Sequence, residues 1–174
     1  LTSLECHDIM CFIGQIVVVG GVRRSAMISL SNLSDDRMRH AKSGQWWETA
    51  AHRALANNSV CYTEKPDIET FMREWTALVE SKSGERGIFN REASKAQAAK
   101  YGRRDPDWQF GTNPCSEIIL RPYQFCNLTE VVVRATDTIK DLERKVKIAT
   151  ILGTIQSSYT KFPYLRKVWQ RNTE

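Results

Sequence analysis

The sequence has no apolar run long enough to cross a membrane. Runs such as Ile16 to Val19 are far shorter than the roughly 20 residues that a spanning helix needs. No secretory signal is expected, since Glu5, His7 and Asp8 stand where a basic start and an apolar stretch would be. Repeats and low-complexity segments are also missing. With 41% hydrophobic residues, the composition excludes a disordered chain and suits about one domain.

The five cysteines lack the spacing of a structural zinc site. They include no C-x-x-C pair, and their odd number fits poorly with a secreted disulfide scaffold. The three histidines are scattered, so no metal site is predicted. In a reducing compartment a cysteine is by default a small buried residue, which we expect for Cys6, Cys11 and Cys61. A cytoplasmic protein is therefore expected.

The net charge of +5 is compatible with nucleic acid, with nucleotide phosphates or with simple solubility. No run of like charges exceeds two residues, which favours solvated faces over a nucleic-acid surface. The pair Arg23-Arg24 is the exception, because it follows Gly20-Gly21, where the backbone is free to approach a ligand closely. An arginine there can contact a phosphate or a base edge.

Alternating helical and strand patterns predict an α/β fold. The periodicity predicts helices over 2–16, 35–42, 46–56, 67–83, 92–100 and 137–159, and a broken one after Pro163. It predicts strands over 26–30, 59–63, 117–120 and 125–133. Asn57-Asn58 is interpreted as a turn, and residues 102–114 as a loop. The helix after Asp67 is expected to pack through its apolar face, which includes Phe71, Trp75 and Leu78.

The most informative stretch runs from Gly111 to Leu120. A side-chain amide, a thiol and a carboxylate stand at alternate positions, Asn113, Cys115 and Glu117. In an extended segment such residues point to one side, so the three groups could converge on one small ligand. Spacing alone also allows a loop that merely contains a buried cysteine.

Two blocks of sequence resemble a known family. Residues 113–120, followed by 125–131 with Phe-Cys-Asn-Leu-Thr-Glu-Val, resemble the active-site region of ribonucleotide reductases. The short spacing from Cys115 to Cys126 is most similar to the monomeric, adenosylcobalamin-dependent (class II) ribonucleoside-triphosphate reductases. Residues 20–26, Gly-Gly-Val-Arg-Arg-Ser-Ala, resemble the substrate-specificity loop of that family.

The resemblance implies a fold and an extent. Residues 1–174 would be an internal fragment of the ten-stranded α/β barrel of the ribonucleotide reductase and glycyl radical enzyme type. The finger loop, about 111–118, would lie inside the barrel, and the specificity loop would span about 20–25. The chain starts at Leu1 without an initiator Met and stops at Glu174, and both ends look cut. An extein segment and a split-gene product are both compatible with such ends.

The resemblance also implies roles for site residues. Cys115 would become the thiyl radical that abstracts the 3′ hydrogen of the ribose, and Glu117 would be the general base on the 3′ hydroxyl. Asn113 would hydrogen-bond the sugar. Cys126 would be half of the dithiol pair that reduces the 2′ carbon. The specificity loop would lie between the effector and the substrate base, and it would be formed by Gly20, Gly21, Val22, Arg23, Arg24 and Ser25.

The implied cofactor is adenosylcobalamin, with most of its site outside this chain. The implied partners are a ribonucleoside triphosphate substrate, a deoxynucleotide effector, a thioredoxin-like reductant and the remaining segments of the enzyme, with no membrane and no direct nucleic acid. Because the redox partner of Cys126 would lie upstream, the isolated chain is expected to be inactive. Two alternatives stay open: a fragment of a class I large chain, which uses a metal-containing partner subunit, and a non-catalytic nucleotide-binding module.

Overall fold

The computed structural model describes residues 1–19 and 23–172 of the chain. It is a mixed α/β structure that divides into two compact units, Leu1–Pro122 and Tyr123–Glu174. Within the described ranges no helix combines the length and the apolar character needed to cross a membrane.

The first unit alternates helices and strands. In chain order its elements are α1 (Ser3–Ile16), β1 (Val18–Val19), β2 (Arg23–Arg24), β3 (Met27–Ser31), α2 (Asp36–Arg39), α3 (Trp46–Thr49), a 3₁₀ turn (Ala51–Leu55), β4 (Ala56–Tyr62), α4 (Ile68–Ser81), β5 (Gly87–Asn90), α5 (Arg91–Lys100), β6 (Gly111–Thr112) and β7 (Ile119–Leu120). The second unit contains α6 (Ile139–Ser157) and α7 (Lys167–Arg171).

Helix starts follow the capping residues in the sequence. Thr2 and Glu5 form a capping box at the start of α1, since each side chain bonds the backbone N–H of the other. Asp67 caps α4 by accepting a hydrogen bond from the Thr70 N–H. At α2 the cap is Asp35, which accepts from the Met38 N–H.

A three-stranded parallel sheet forms the centre of the first unit, with the order β3-β4-β5. Leu30 is in register with Ser59, and Cys61 with Phe89. Two antiparallel ribbons, β1-β2 and β6-β7, are separate from it. Within the described ranges the strands form these three small sheets and no ten-stranded barrel.

The two faces of the parallel sheet carry different side chains. Side chains alternate along a strand, and residues in parallel register share a face. One face therefore carries Ile28, Leu30, Asn57, Ser59, Cys61, Gly87 and Phe89. On it lies the hydrophobic core, in which Cys61, Phe89 and the fully buried Phe110 pack together. Leu30, Ala98 and Ile119 pack against that cluster.

The opposite face of the sheet contacts polar side chains. His7 of α1 hydrogen-bonds the Asn58 side chain through Nε2 at 3.0 Å, and Arg86 donates to the Ser31 hydroxyl at 2.6 Å. Asn58 also donates its backbone N–H to the Glu85 carboxylate at 2.9 Å. These bonds connect α1 and the β5 entry to the central strand.

A buried ion cluster holds α2 and α4 beside the start of β5. The Glu74 carboxylate accepts from Arg39 Nε at 2.6 Å and from Arg86 at 2.9 and 2.6 Å. All three residues are at least 93% buried. Burial alone would raise the pKa of Glu74, but the hydrogen bonds and charges of Arg86 and Arg39 lower it below its usual value.

The expected packing of α4 is right in part. Phe71 and Leu78 of the expected apolar face are half-buried, on the same side as the buried Glu74 and Ala77. The remaining apolar residues of that face are exposed: Ile68, Met72, Trp75 and Val79. The buried side of α4 is rotated away from the predicted face and includes Glu74, which neutralises the buried arginines.

Two predictions that concern strands are wrong, and one strand was missed. Asn57-Asn58, interpreted as a turn, lies in β4, where pairing with Ile28 and Ser29 of β3 stabilises asparagines that favour turns in isolation. Residues 125–133 are not a strand, and helices are the only regular elements within residues 123–172. β5 was not predicted, because its four residues are too few to show alternation.

The second unit is built on α6. The segment before it lies along the helix, with Asn127 Nδ2 donating to the Gly153 carbonyl at 3.3 Å and Lys145 Nζ to the Val132 carbonyl at 3.0 Å. Lys145 thus satisfies one backbone carbonyl of a segment that has no strand partner within the described residues. At the other end Phe125 packs against Phe162 and Trp169.

The prediction that three cysteines are buried holds for two. Cys11 and Cys61 are buried, and burial raises the pKa of both thiols. Cys6 is exposed, because it lies on the outer side of α1.

Replacing Glu74 by Gln is expected to destabilise the chain by about 3 to 5 kcal/mol, because two buried guanidinium groups lose their counter-charge. The matched control is Asp36→Asn. Asp36 also pairs with Arg39 but has an exposed side chain, so its loss should cost at most about 1 kcal/mol. Urea unfolding followed by circular dichroism measures both, and equal losses would contradict the assignment of stability to Glu74.

Candidate functional site

The candidate site is the loop of the β6-β7 hairpin, residues 113–118. The Asn113 N–H donates to the Ile118 carbonyl at 3.3 Å, and the Ser116 N–H donates to the Asn113 carbonyl at 2.9 Å. Ser116 closes the turn at φ +67°, in the left-handed region. The loop is therefore a tight turn with its own backbone hydrogen bonds.

The side-chain amide of Asn113 organises this loop from within. Only 4% of the residue is exposed. Its Oδ1 accepts from the Ile118 N–H at 3.0 Å, and its Nδ2 donates to Glu117 Oε1 at 2.6 Å. The side-chain amide of Asn113 thus has two effects: its oxygen fixes the loop backbone, and its nitrogen orients the Glu117 carboxylate.

The thiol and the carboxylate of the loop face outward. Cys115 and Glu117 are both exposed, and Cys115 is a free cysteine. The structure brings Asn113 and Glu117 together, but through a turn and not through the extended arrangement expected from their alternate positions. Gly111 and Pro114 are residue types that favour such a turn.

Two arginines hold the base of the hairpin. Arg91 Nε donates to the Phe110 carbonyl at 2.7 Å, and Arg104 Nη1 donates to the Ile119 carbonyl at 3.0 Å. The Arg104 guanidinium also lies over the Phe110 ring, 5.0 Å from its centroid. Because Phe110 is fully buried against the sheet, the hairpin that carries the loop is fixed at its base.

A residue that sequence reasoning missed contacts the tip of the loop. Asn57 Nδ2 donates to the Pro114 carbonyl at 2.5 Å, across 57 positions in sequence. The signal that could have identified Asn57 is its polar side chain, which is exposed near the start of a strand whose other residues are buried. Nothing in the spacing linked it to Pro114.

Cys126 belongs to the second unit. It is exposed and lines a cavity of about 850 Å³ whose walls also include Phe125, Asn127, Tyr159 and Phe162. The cavity has room for another group beside the thiol.

The predicted specificity loop is only partly described. Gly20, Gly21 and Val22 lie outside the described residues. The backbone of Arg23 and Arg24 forms β2, which pairs with Val19 and Val18 of β1. Ser25 is partly buried.

No metal-binding cluster was found among the residues that the structure describes, since no three His, Cys, Asp or Glu side chains are grouped suitably. The exposed Cys115 thiol and the oriented Glu117 carboxylate are two residues apart on one turn, which offers a hydrogen donor and a proton acceptor on the same loop.

The sequence is similar to that of large bacterial enzymes. It is 39% identical over 139 residues to the adenosylcobalamin-dependent ribonucleoside-triphosphate reductase of Lacticaseibacillus paracasei. The matched region covers 75% of this chain and 17% of the relative. The enzyme of the same name from Lactobacillus delbrueckii subsp. bulgaricus is 37% identical over 142 residues, 75% of this chain and 18% of the relative. That from Lactobacillus acidophilus is 34% identical over 186 residues, 99% of this chain and 23% of the relative.

The chain therefore spans about a fifth of the length of these relatives. No family model matches the sequence. No solved structure matches the chain either.

Replacing Asn113 by Ala is expected to loosen the loop at Ile118. The Ile118 N–H loses its acceptor, so its hydrogen exchange should accelerate about tenfold or more, as expected for a bond of about 1 to 3 kcal/mol. The control is Ser116→Ala, which removes only a hydroxyl contact to Thr112 and leaves the Asn113 amide bonds intact. Hydrogen exchange of the backbone N–H groups of residues 113–118 is measured in both variants. An unchanged exchange rate at Ile118 in Asn113→Ala would contradict the role assigned to the Asn113 side chain.

Proposed function

Because the chain belongs by sequence to the family of adenosylcobalamin-dependent ribonucleoside-triphosphate reductases, we propose that it is a segment of the catalytic part of such an enzyme. The activity is the reduction of ribonucleoside triphosphates to 2′-deoxyribonucleoside triphosphates, and it belongs to the larger protein. The observation that carries this proposal for the site is the 113–118 loop, where an exposed thiol accompanies a carboxylate oriented by an amide.

Residues 1–174 form part of a ten-stranded barrel in this proposal, with the β6-β7 hairpin as its finger loop. The support is the placement of that hairpin on one face of a parallel sheet through Phe110 and Ile119. His7 and the Arg86–Ser31 bond lie on the opposite face, as expected for the outside of a barrel. β3 and β5 each have one edge available for a further strand within the described residues.

Cys115 is the hydrogen-atom carrier of the proposed reaction. Its thiol loses a hydrogen atom, takes one from the 3′ carbon of the ribose and returns it at the end of the cycle. S–H and sugar C–H bonds have comparable strengths, so the exchange is reversible. Placement on a turn with internal hydrogen bonds supplies the fixed geometry that such a transfer requires.

Glu117 is the general base for the 3′ hydroxyl. A base has to be ionised and within hydrogen-bond reach of the proton that it removes. The hydrogen bond that Asn113 Nδ2 donates to Glu117 Oε1 fixes the direction of the carboxylate. The Asn113 role implied by the resemblance, a bond to the sugar, is compatible with this because its Nδ2 carries a second hydrogen.

Cys126 is half of the dithiol that reduces the 2′ carbon. Two thiols supply two electrons and two protons when they become a disulfide, and the 2′ hydroxyl leaves as water. The cavity beside Cys126 has room for the approach of a second thiol. A thioredoxin-like dithiol then reduces the disulfide.

Adenosylcobalamin, when bound, supplies the one-electron chemistry that starts the cycle. The residues present fit the receiving end of such a group, because the Cys115 thiol is exposed at the tip of the loop. The residues that hold the cofactor would lie mostly outside this chain. The names of the relatives favour this branch over a class I enzyme and over a non-catalytic module.

The Gly20 to Ser25 segment acts as the specificity loop in this proposal, between a deoxynucleotide effector and the substrate base. Two adjacent arginines, Arg23 and Arg24, offer guanidinium groups suited to phosphate or base edges. The protein works in the cytoplasm, where the reductant is available.

Replacing Cys115 by Ser in the complete enzyme is expected to abolish turnover, because a serine O–H bond is too strong to exchange its hydrogen with the sugar. The matched control is Cys6→Ser, an exposed cysteine on α1, which should retain the parent rate. Deoxynucleotide formation with adenosylcobalamin and a dithiol is measured. Turnover by Cys115→Ser above about 1% of the parent rate would contradict the proposed role.

Replacing Cys126 by Ser separates the reducing step from radical formation. Multiple turnover should be lost, since no disulfide can form, while the radical signal after addition of adenosylcobalamin is retained in electron spin resonance. Sustained turnover by this variant would exclude Cys126 as a reductant.

A further inference from the structure

We propose that Asn57 is a positioning residue, which holds the peptide unit next to Cys115 in place and thereby sets the location of the thiol. The inference rests on the proposed function of Cys115. It concerns a residue outside the hairpin, on the central strand of the parallel sheet.

The position of Asn57 follows from the register of the sheet. In β4 it shares a face with Ser59 and Cys61, and Cys61 packs against Phe110 at the start of the hairpin. The hairpin therefore lies over the face that Asn57 occupies. Asn57 is exposed there, at the amino-terminal end of β4 and ahead of the first residue that pairs with β5.

The contact itself acts on the residue that precedes the thiol. Asn57 Nδ2 lies 2.5 Å from the Pro114 carbonyl oxygen. The pyrrolidine ring fixes φ of Pro114, so ψ is the remaining soft dihedral there. A hydrogen bond to the carbonyl restrains that dihedral and, because the peptide is planar, also the direction in which the Cys115 Cα is placed.

Two side-chain amides thus have separate tasks at this loop. Asn113 acts within the loop and orients Glu117. Asn57 connects the loop to the sheet, beyond the arginine contacts at the hairpin base. Losing the Asn57 bond should displace the thiol without unfolding the hairpin, whose base is held by Phe110.

The expected signature is a loss of rate without a loss of fold. One hydrogen bond at an exposed position contributes little to global stability. A misplacement of about 1 Å can nevertheless reduce a rate by about 100-fold. Substrate binding should be largely unaffected, because the bond of the Asn57 side chain is made to the loop backbone.

The test compares two isosteric Asn→Asp changes in the complete enzyme. Asn57→Asp keeps the size of the side chain but replaces the donor with a carboxylate oxygen, which repels the Pro114 carbonyl. We expect kcat to fall between about 10- and 100-fold with KM within about twofold of the parent. Asn90→Asp is the matched control: Asn90 caps α5 as an acceptor from the Ala93 N–H, a bond that Asp preserves, so both constants should stay unchanged.

A second readout follows the thiol directly. In the resting enzyme, without cofactor, the rate of Cys115 alkylation by iodoacetamide is measured by mass spectrometry. Asn57→Asp should change that rate at least about threefold while the rate at Cys6 stays constant. Should Asn57→Asp fail to fold, Asn57→Ala gives the same test, because it removes the donor without adding charge.

The outcomes separate this inference from the function on which it rests. A kcat of Asn57→Asp within twofold of the parent overturns the inference, as does a lowered kcat with an unchanged alkylation rate at Cys115. If Cys115→Ser retains turnover, the proposed function itself is wrong. If Cys115→Ser is inactive and Asn57→Asp behaves like the parent, only the role of Asn57 is wrong.

Discussion

The packing of Phe110 against Cys61 and Phe89 is the contact on which the candidate site depends. Phe110 is fully buried and immediately precedes β6, so its burial fixes where the hairpin leaves the sheet. Removal of a buried aromatic ring typically costs about 3 to 5 kcal/mol. Hydrogen bonds from Arg91 and Arg104 add direction to that apolar contact. A loop on such a base can hold an exposed thiol in a defined position.

Above that base, polar contacts replace apolar ones. Asn113 is buried and uses its amide inside the loop, whereas Cys115 and Glu117 stay exposed. A reactive group has to reach its substrate, so it cannot be held by burial. The structure instead restrains the backbone and the carboxylate around it with hydrogen bonds, and Asn57 contributes one of them from the sheet.

The sequence allowed most helices to be predicted, because capping residues are encoded over a few positions, and a local motif was enough to propose the site residues. Thr2 and Asp67 are examples at helix starts. The turn assigned to Asn57-Asn58 was wrong because strand neighbours distant in sequence override a local preference. The burial of Glu74 on α4 was missed for the same reason, since the arginines that it neutralises come from two other segments. The contact between Asn57 and Pro114 also depends on tertiary structure.

In the proposed function the 113–118 loop presents Cys115 to the ribose of a nucleotide. An experimental structure of the complete enzyme with a bound ribonucleoside triphosphate would show whether it does. We predict that Cys115 Sγ lies in van der Waals contact with the 3′ carbon, at about 3.5 to 4.0 Å, and that the Glu117 carboxylate lies within hydrogen-bond reach of the 3′ hydroxyl. A ribose bound away from this loop, with neither group in contact, would contradict it.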